Sequence, residues 1–281
     1  MAKSVRYNYK FPLISHRIGG HLYPENTLLG FNCRPKAVEF DVILTKDLVP
    51  IVFHDEDTSR LIPTAGNRNI CDMTYDELKD YNLGLTYKQP SDLEQRVHDF
   101  TTNIPLFTDV LRHGFENNIF MNIEIKPSTG YETITSEVIA TEVMKFYNED
   151  TPTDKHVPLF SSFSYESLLA IKRYSPSIPR AYLISNLNKC NGWLEQMKEL
   201  EAVAVHTDYK NLTKGFIKYF FKFTCMQYLL INTLPTELSD TVLAEGYGLF
   251  CYTINSAEIA SDMTSNYGVH AFCTDRIDIF N

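Results

Sequence analysis

Glu39 and Asp41 stand two residues apart in a run of β-branched and apolar residues, and Glu124 and Lys126 repeat that spacing in another. Side chains of a strand alternate between its faces, so each pair shares a side. If those sides meet in one interior, three carboxylates converge, and buried anions repel one another unless a cation lies between them. An all-oxygen set suits a hard divalent ion, Mg2+ or Ca2+ with Mn2+ as a further candidate, rather than zinc. The competing arrangement pairs Glu124 with Lys126 or Arg17 and binds no metal. His16 and His54 follow two different extended segments. Two imidazoles beside a metal can serve as general base and general acid, although a histidine at a strand end can also be a structural hydrogen-bonder. Arg17 and Lys126 bring positive charge for a phosphate, and arginine offers a planar fork for two of its oxygens. His206 reads either as a substrate contact or as local structure. His21, His98, His113, His156 and His270 read as surface or loop histidines, and Asp275 as a residue that holds neighbouring loops.

The elements that must position these groups recur along the chain. Short β-branched and aromatic runs cover residues 12–16, 38–44, 120–125, 157–160, 180–184, 202–206, 249–253 and 271–274. Helical periodicity lies between most of them, over 108–117, 133–147, 165–174, 192–200 and 258–267. Thr74-Tyr75-Asp76-Glu77 fits a capping box and starts a further helix. Strand–helix alternation repeated about eight times predicts an α/β fold of the (β/α)8 barrel type. An open doubly wound sheet is the second choice, and no G-x-G-x-x-G loop follows the first strand to support it. In such barrels, functional groups project from the C-terminal strand ends, which is where His16, Glu39, Asp41, Glu124, Ser161, His206, Asn255 and Asp275 fall. Residues 55–105 mix Pro, Gly, Asn and charges and read as a small insertion between strands two and three. Residues 213–248 are too long for one helix, and the aromatic run at 220–228 reads as core, with a partner or membrane-surface face as the other reading. With no linker in sight, the expectation is a single domain over 1–281 with an inserted subdomain at about 55–105.

Composition narrows the classes. The chain has 281 residues, 44% hydrophobic and 22% charged, which excludes a disordered chain, a fibrous repeat and a disulfide-stapled miniprotein. Its formal charge of −9, from 26 basic and 35 acidic residues, argues against nucleic acid or anionic membrane as partners. The six cysteines (33, 71, 190, 225, 251 and 273) form no C-x-x-C or metal-knuckle spacing. A reducing, cytoplasmic setting is the simplest expectation, since no secretory leader and no stretch of ~20 apolar residues is evident.

The segment His16-Arg17-Ile18-Gly19-Gly20-His21-Leu22-Tyr23-Pro24-Glu25-Asn26-Thr27-Leu28 resembles the H-R-G-G…P-E-N-T-L signature of glycerophosphodiester phosphodiesterases. The resemblance continues through Glu39-Phe40-Asp41, His54-Asp55, Asn122-Ile123-Glu124-Ile125-Lys126-Pro127, Ser161-Ser162-Phe163, Tyr252-Thr253-Ile254-Asn255 and Thr274-Asp275-Arg276. It spans nearly the whole chain in order and is greatest to the short cytosolic bacterial members. It implies a (β/α)8 barrel that hydrolyses deacylated phospholipids to glycerol 3-phosphate and an alcohol. It further implies Glu39, Asp41 and Glu124 as metal ligands, His16 and His54 as the acid–base pair, and Arg17 and Lys126 as phosphate contacts. Phe163 would wall the glycerol, Asn255 would line the rim, and Glu25 and Asn26 would brace the first loop.

Three departures accompany the resemblance. Ile18 stands where the family has glycine, and a β-branched residue there resists positive φ and crowds an approaching ligand. The first helix, from Leu28 to about Pro35, is about one turn short, and residues near 216–238 look like an extra segment. Two rival functions follow: lyase-type or phospholipase-D-like cleavage giving a cyclic phosphate, which needs an apolar membrane face such as 220–228, and a catalytically silent module that binds glycerophosphodiesters.

Overall fold

The computed structural model describes residues 6–91, 100–147, 151–152, 155–185, 192–213 and 237–280. The expectations for residues 220–228, for His98, Cys190 and Cys225, and for 216–238 apart from its last two residues, lie outside the described residues.

Among the described residues, nine strands form the sheet: β1 (Leu13–Ser15), β2 (Ala37–Leu44), β3 (Pro50–Val52), β4 (Phe120–Ile125), β5 (Leu159–Ser162), β6 (Arg180–Ile184), β7 (Ala204–Asp208), β8 (Gly248–Tyr252) and β9 (Ala271–Thr274). Their order is β1-β9-β8-β7-β6-β5-β4-β2-β3, and β1 also pairs with β2 through Ser15 and Val38. That last pairing closes eight parallel strands into a (β/α)8 barrel and disposes of the open sheet. β3 lies outside the ring, antiparallel to β2.

Helices α2 (Phe107–Glu116), α3 (Glu132–Phe146), α4 (Tyr165–Tyr174), α5 (Trp193–Glu199), α6 (Glu237–Ala244) and α7 (Ala257–Asn266) lie between the strands. Among the described residues, no helix is long and apolar enough to cross a membrane. The first crossover is instead a 3-10 helix, Leu28–Cys33, closed by Arg34 at φ +53. The capping box at Thr74 forms as expected and starts α1 (Tyr75–Leu78). Ile43 of β2 and Ile51 of β3 join Phe53, Leu61, Ile62, Ile70, Met73, Leu78, Leu83 and Ile104, from the segment between β3 and α2, in an apolar cluster of their own.

Alternation along the strands decides what faces the interior. On β2, Val38, Phe40 and Val42 join the cluster outside the barrel, which leaves Ala37, Glu39 and Asp41 on the inner side. The lower interior is apolar, filled by Tyr9, Ile14, Ala37, Phe120, Leu159, Ala181, Ala204, Phe250 and Ala271. Two strand boundaries differ from expectation. β5 starts at Leu159 rather than at residue 157, because Pro158 has no N–H to give the ladder. β7 starts at Ala204 rather than 202, because the amide of Ala202 caps α5 through the Met197 carbonyl. The shift moves His206 from a strand end to the middle of a strand.

Candidate active site

β1 ends at Ser15, and the chain then turns through four consecutive residues of positive φ: Arg17 (+48°), Ile18 (+52°), Gly19 (+113°) and Gly20 (+56°). The turn is pinned from several sides. The Arg17 amide donates to Glu39 Oε2 at 3.1 Å, the Gly19 amide to Ser15 Oγ at 2.9 Å, and the Gly20 amide to the His16 carbonyl at 2.7 Å. A Cβ at Gly20 would overlap the backbone of Asp275, and one at Gly30 would overlap the Ile18 carbonyl. Ile18 adopts the strained conformation anticipated from its sequence position, at a cost of about 1–2 kcal/mol. Its side chain, however, is fully buried in the outer cluster with Phe31 and Val38. It therefore does not crowd the interior, and Arg17 keeps its place.

The interior holds a cavity of about 180 Å3 lined by His16, Arg17, Glu39, Asp41, His54, Asn122, Glu124, Ser161, Phe163 and six further residues, among them His206, Phe250 and Thr253. Glu39, Asp41 and Glu124 each offer an oxygen, and these oxygens lie within 4.8 Å of one another. Burial, followed by the charges of Asp41 and Glu124, pushes Glu39 well above the ordinary carboxylate range. Burial and the Asp41 charge push Glu124 up to about 8, against the pull of Lys126 and Arg17. Burial also works against an ionised Asp41, but Lys126, His54, Arg17 and the Asn26 hydrogen bond outweigh it and hold that carboxyl below its usual value. Two of the three carboxylates are thus held back from ionising, which is the chemistry of a site that fits a hard cation. Lys126 Nζ stands 3.8 Å from both Asp41 and Glu124, too long for tight pairing with either.

Each histidine rests on a carboxylate. His16 Nδ1 donates to Asp275 Oδ1 at 2.6 Å, while its Nε2 lies 3.8 Å from Glu39. Burial disfavours an ionised Asp275, yet bonds from His16 and Asn255 bring it down to about 2. His54 Nδ1 donates to Asp55 Oδ1 at 2.6 Å. Arg60 joins this side, binding Asp55 through Nε and Nη2 (2.6 and 2.9 Å) and Glu25 through Nη1 and Nη2 (both 2.7 Å). Glu25 in turn accepts from Arg17 Nη1 at 2.8 Å. Asn26 donates to Asp41 Oδ2 at 3.0 Å.

The structure therefore brings His16, His54, Arg17, Glu39, Asp41, Glu124, Phe163 and His206 to one cavity, with Lys126 beside it. Glu25 and Asn26 lie just outside, bonded to Arg17 and Asp41. Phe163 is 43% exposed at the rim, edge-on to Tyr252. Asn255, expected at the rim, instead commits its amide to neighbours: Nδ2 donates to Asp275, and Oδ1 accepts from Thr274 Oγ1 and the Asp275 amide. Two residues escaped the sequence reading. Asp275 holds the His16 imidazole as well as a loop, and a separation of 259 positions from His16 offers no spacing signal. Arg60 lies in a stretch with no periodicity, so nothing marked it.

Residues 16–279 match the profile of the Glycerophosphoryl diester phosphodiesterase family. The glycerophosphodiester phosphodiesterase of Caldanaerobacter subterraneus subsp. tengcongensis is 27% identical over 205 residues, covering 71% of this chain and 76% of that one. The uncharacterized protein YqiK of Bacillus subtilis (strain 168) is 32% identical over 181 residues, covering 62% of this chain and 67% of its own. Among solved structures, an Oleispira antarctica phosphodiesterase in complex with its product sn-glycerol-3-phosphate matches with a TM-score of 0.70 at 26% identity, covering 94% of this chain and 92% of that one. A Thermotoga maritima glycerophosphodiester phosphodiesterase matches in fold, with a TM-score of 0.62 at 22% identity over 98% of both chains. With a closed barrel, a carboxylate-lined mouth and a match over most of its length, this chain belongs to the glycerophosphoryl diester phosphodiesterase family.

Proposed function

We propose that the chain hydrolyses glycerophosphodiesters to glycerol 3-phosphate and an alcohol, with one divalent cation, Mg2+ or Ca2+, and with His16 and His54 as the acid–base pair. The observation that carries this reading is the pairing of two carboxylate-held imidazoles with three converging carboxylates in one cavity. A glycerol phosphate ligand is supported by the product bound to the Oleispira relative.

Glu39, Asp41 and Glu124 would hold the cation, which when bound would supply Lewis-acid relief of the charge that builds on the phosphoryl oxygens. Arg17 Nε is buried without a hydrogen-bond partner and is available to a phosphoryl oxygen, and Lys126 adds a second positive charge. Because Asp275 and Asp55 take up the two Nδ1 atoms, Nε2 is the exchanging atom of both rings. One Nε2 accepts the proton of the attacking water as its oxygen bonds to phosphorus. The bond from phosphorus to the alcohol oxygen breaks, and the other Nε2 returns a proton to that oxygen. Each transfer contributes about 10²–10⁴ in rate. Phe163 offers an apolar wall to the glycerol carbons, and Asn255 acts through Asp275.

A silent binding module loses its motive, since Ile18 turns its side chain away from the cavity. The test is release of glycerol 3-phosphate from glycerophosphocholine with EDTA, Mg2+, Ca2+ or Mn2+. EDTA should abolish release and a divalent ion restore it. No product with any metal would overturn the reading, and phosphorus NMR showing a cyclic phosphate as final product would replace it with lyase-type cleavage.

A further inference from the structure

A second cleft, of about 150 Å3, opens beside the catalytic cavity, between the first loop and the segment beyond β3. His21, Tyr23 and Glu25 line it from the loop, and Arg60, Tyr87 and Lys88 from the segment. One layer of side chains joins the two spaces. Arg17 and His54 line the catalytic cavity, Glu25 and Arg60 line the cleft, and hydrogen bonds run from Arg17 to Glu25 and from Arg60 through Asp55 to His54. The cleft keeps its shape through its own contacts. The Tyr87 hydroxyl donates to the His21 carbonyl at 2.8 Å, and the Tyr23 and Tyr87 rings both pack on Phe100, with centroids 5.6 and 5.4 Å away.

Charge in the cleft does not balance. Glu25 accepts one hydrogen bond from Arg17 and two from Arg60, so its carboxylate is already matched. Arg60 gives four of its five N–H groups to Glu25 and Asp55, which leaves one. Two arginines thus offset two carboxylates. Lys88 is exposed and forms no ion pair among the described residues, so its positive charge is left over. From the loop side, His21 Nε2 stands 3.5 Å from Asp275, a carboxylate already bonded to His16 and Asn255. In a chain of net charge −9, an unpaired ammonium and a spare guanidinium N–H lining one cleft mark a place for an anion.

A phosphodiester carries two substituents, and the apolar lower interior closes the barrel below the site. One substituent must therefore leave by the mouth. On the side of the cleft the mouth carries His54, the more exposed of the two imidazoles. We propose that the cleft receives the alcohol side of the diester and favours an alcohol bearing a negative group, a phosphate or a carboxylate, over choline or an uncharged alcohol. A quaternary ammonium there would meet Lys88 with like charge and would find the Glu25 carboxylate already neutralised. The inference rests on the hydrolytic reading above and adds to it the class of alcohol.

Steady-state assays with Mg2+ on glycerophosphoinositol, glycerophosphoinositol 4-phosphate and glycerophosphocholine test it, reading released glycerol 3-phosphate. KM for the phosphorylated diester should lie about five-fold below that for glycerophosphoinositol, in keeping with ~1 kcal/mol for an exposed ion pair, and glycerophosphocholine should have the highest KM. The gap should narrow as sodium chloride rises. Lys88→Gln should close it while leaving kcat and KM for glycerophosphoinositol within about two-fold, and Lys88→Arg should keep it. Equal KM values for the two inositol diesters in the wild type, or a gap that Lys88→Gln leaves in place, would overturn the inference. Inorganic phosphate should inhibit competitively and equally in the wild type and Lys88→Gln. A non-competitive inhibition that Lys88→Gln removes would give the cleft to a free anion and overturn its assignment to the alcohol. Absence of turnover of all three diesters would sink the hydrolytic reading instead, and calorimetric titration with the two inositol diesters would then decide the cleft. Tighter binding of the phosphorylated one, lost in Lys88→Gln, upholds it, and equal binding overturns it.

Discussion

His16 and His54 both give Nδ1–H to a carboxylate at 2.6 Å, yet the supports behind those carboxylates differ in kind. Behind Asp275 stand a neutral amide, Asn255, in loops that follow the closing strands β8 and β9, and at 3.5 Å the exposed His21 imidazole. Behind Asp55 stands the Arg60 guanidinium, which also grips Glu25 and through it Arg17. The Asp275 side is shielded, with side chains 18% and 13% exposed in the His16 pair, against 31% and 19% in the His54 pair and 46% for Arg60. The same local motif is thus built once from barrel packing and once from a charged clasp reaching in from the segment beyond β3. The first should respond less to salt; the second should feel ionic strength more, because its ion pairs with Arg60 are exposed and screened.

The largest effect expected is loss of either imidazole. His16→Ala and His54→Ala should each lower kcat for glycerophosphocholine by about 10²–10⁴, and near-full turnover by either would break the equivalence of the two sides. Next come the carboxylates beneath them. Asp275→Asn and Asp55→Asn should each lower kcat by about 10–100-fold, with the larger loss at the shielded Asp275. A larger loss at Asp55, measured in steady-state assays, would reverse the comparison.

Stability against pH sharpens it further. Asp275 ionises at about 2 in the folded chain, against about 3.9 when unfolded. Its contribution is therefore complete above the unfolded value and is lost as pH falls through about 2. Denaturation profiles of Asp275→Asn between pH 2 and 5 should be flatter than those of the wild type by up to about 2 kcal/mol. The smallest effect is expected at Arg60. Arg60→Gln should lower kcat/KM by about two- to five-fold at low salt, the worth of an exposed pair, and the deficit should shrink as sodium chloride rises. A deficit that ignores salt would show that Arg60 acts by packing rather than by charge.

Much of this was legible before any coordinates. The i, i+2 spacing of Glu39 with Asp41 and of Glu124 with Lys126 follows from the period of a strand, and that period is local. Ala202 shows where local reading ended: apolar enough for a strand, its amide was drawn off by the end of α5. The left-handed turn at Arg17–Gly20 was foreseeable from its glycines, but the direction of the Ile18 side chain was not, because it depends on Gly30 leaving room beside that backbone. Asp275 meets His16 only because β9 pairs with β1, and Arg60 meets Glu25 across 35 positions. Residue type and strand period, which act over a few positions, determined the carboxylates, the cations and the imidazoles. Closure of the barrel, which acts across the whole chain, decided which of them touch.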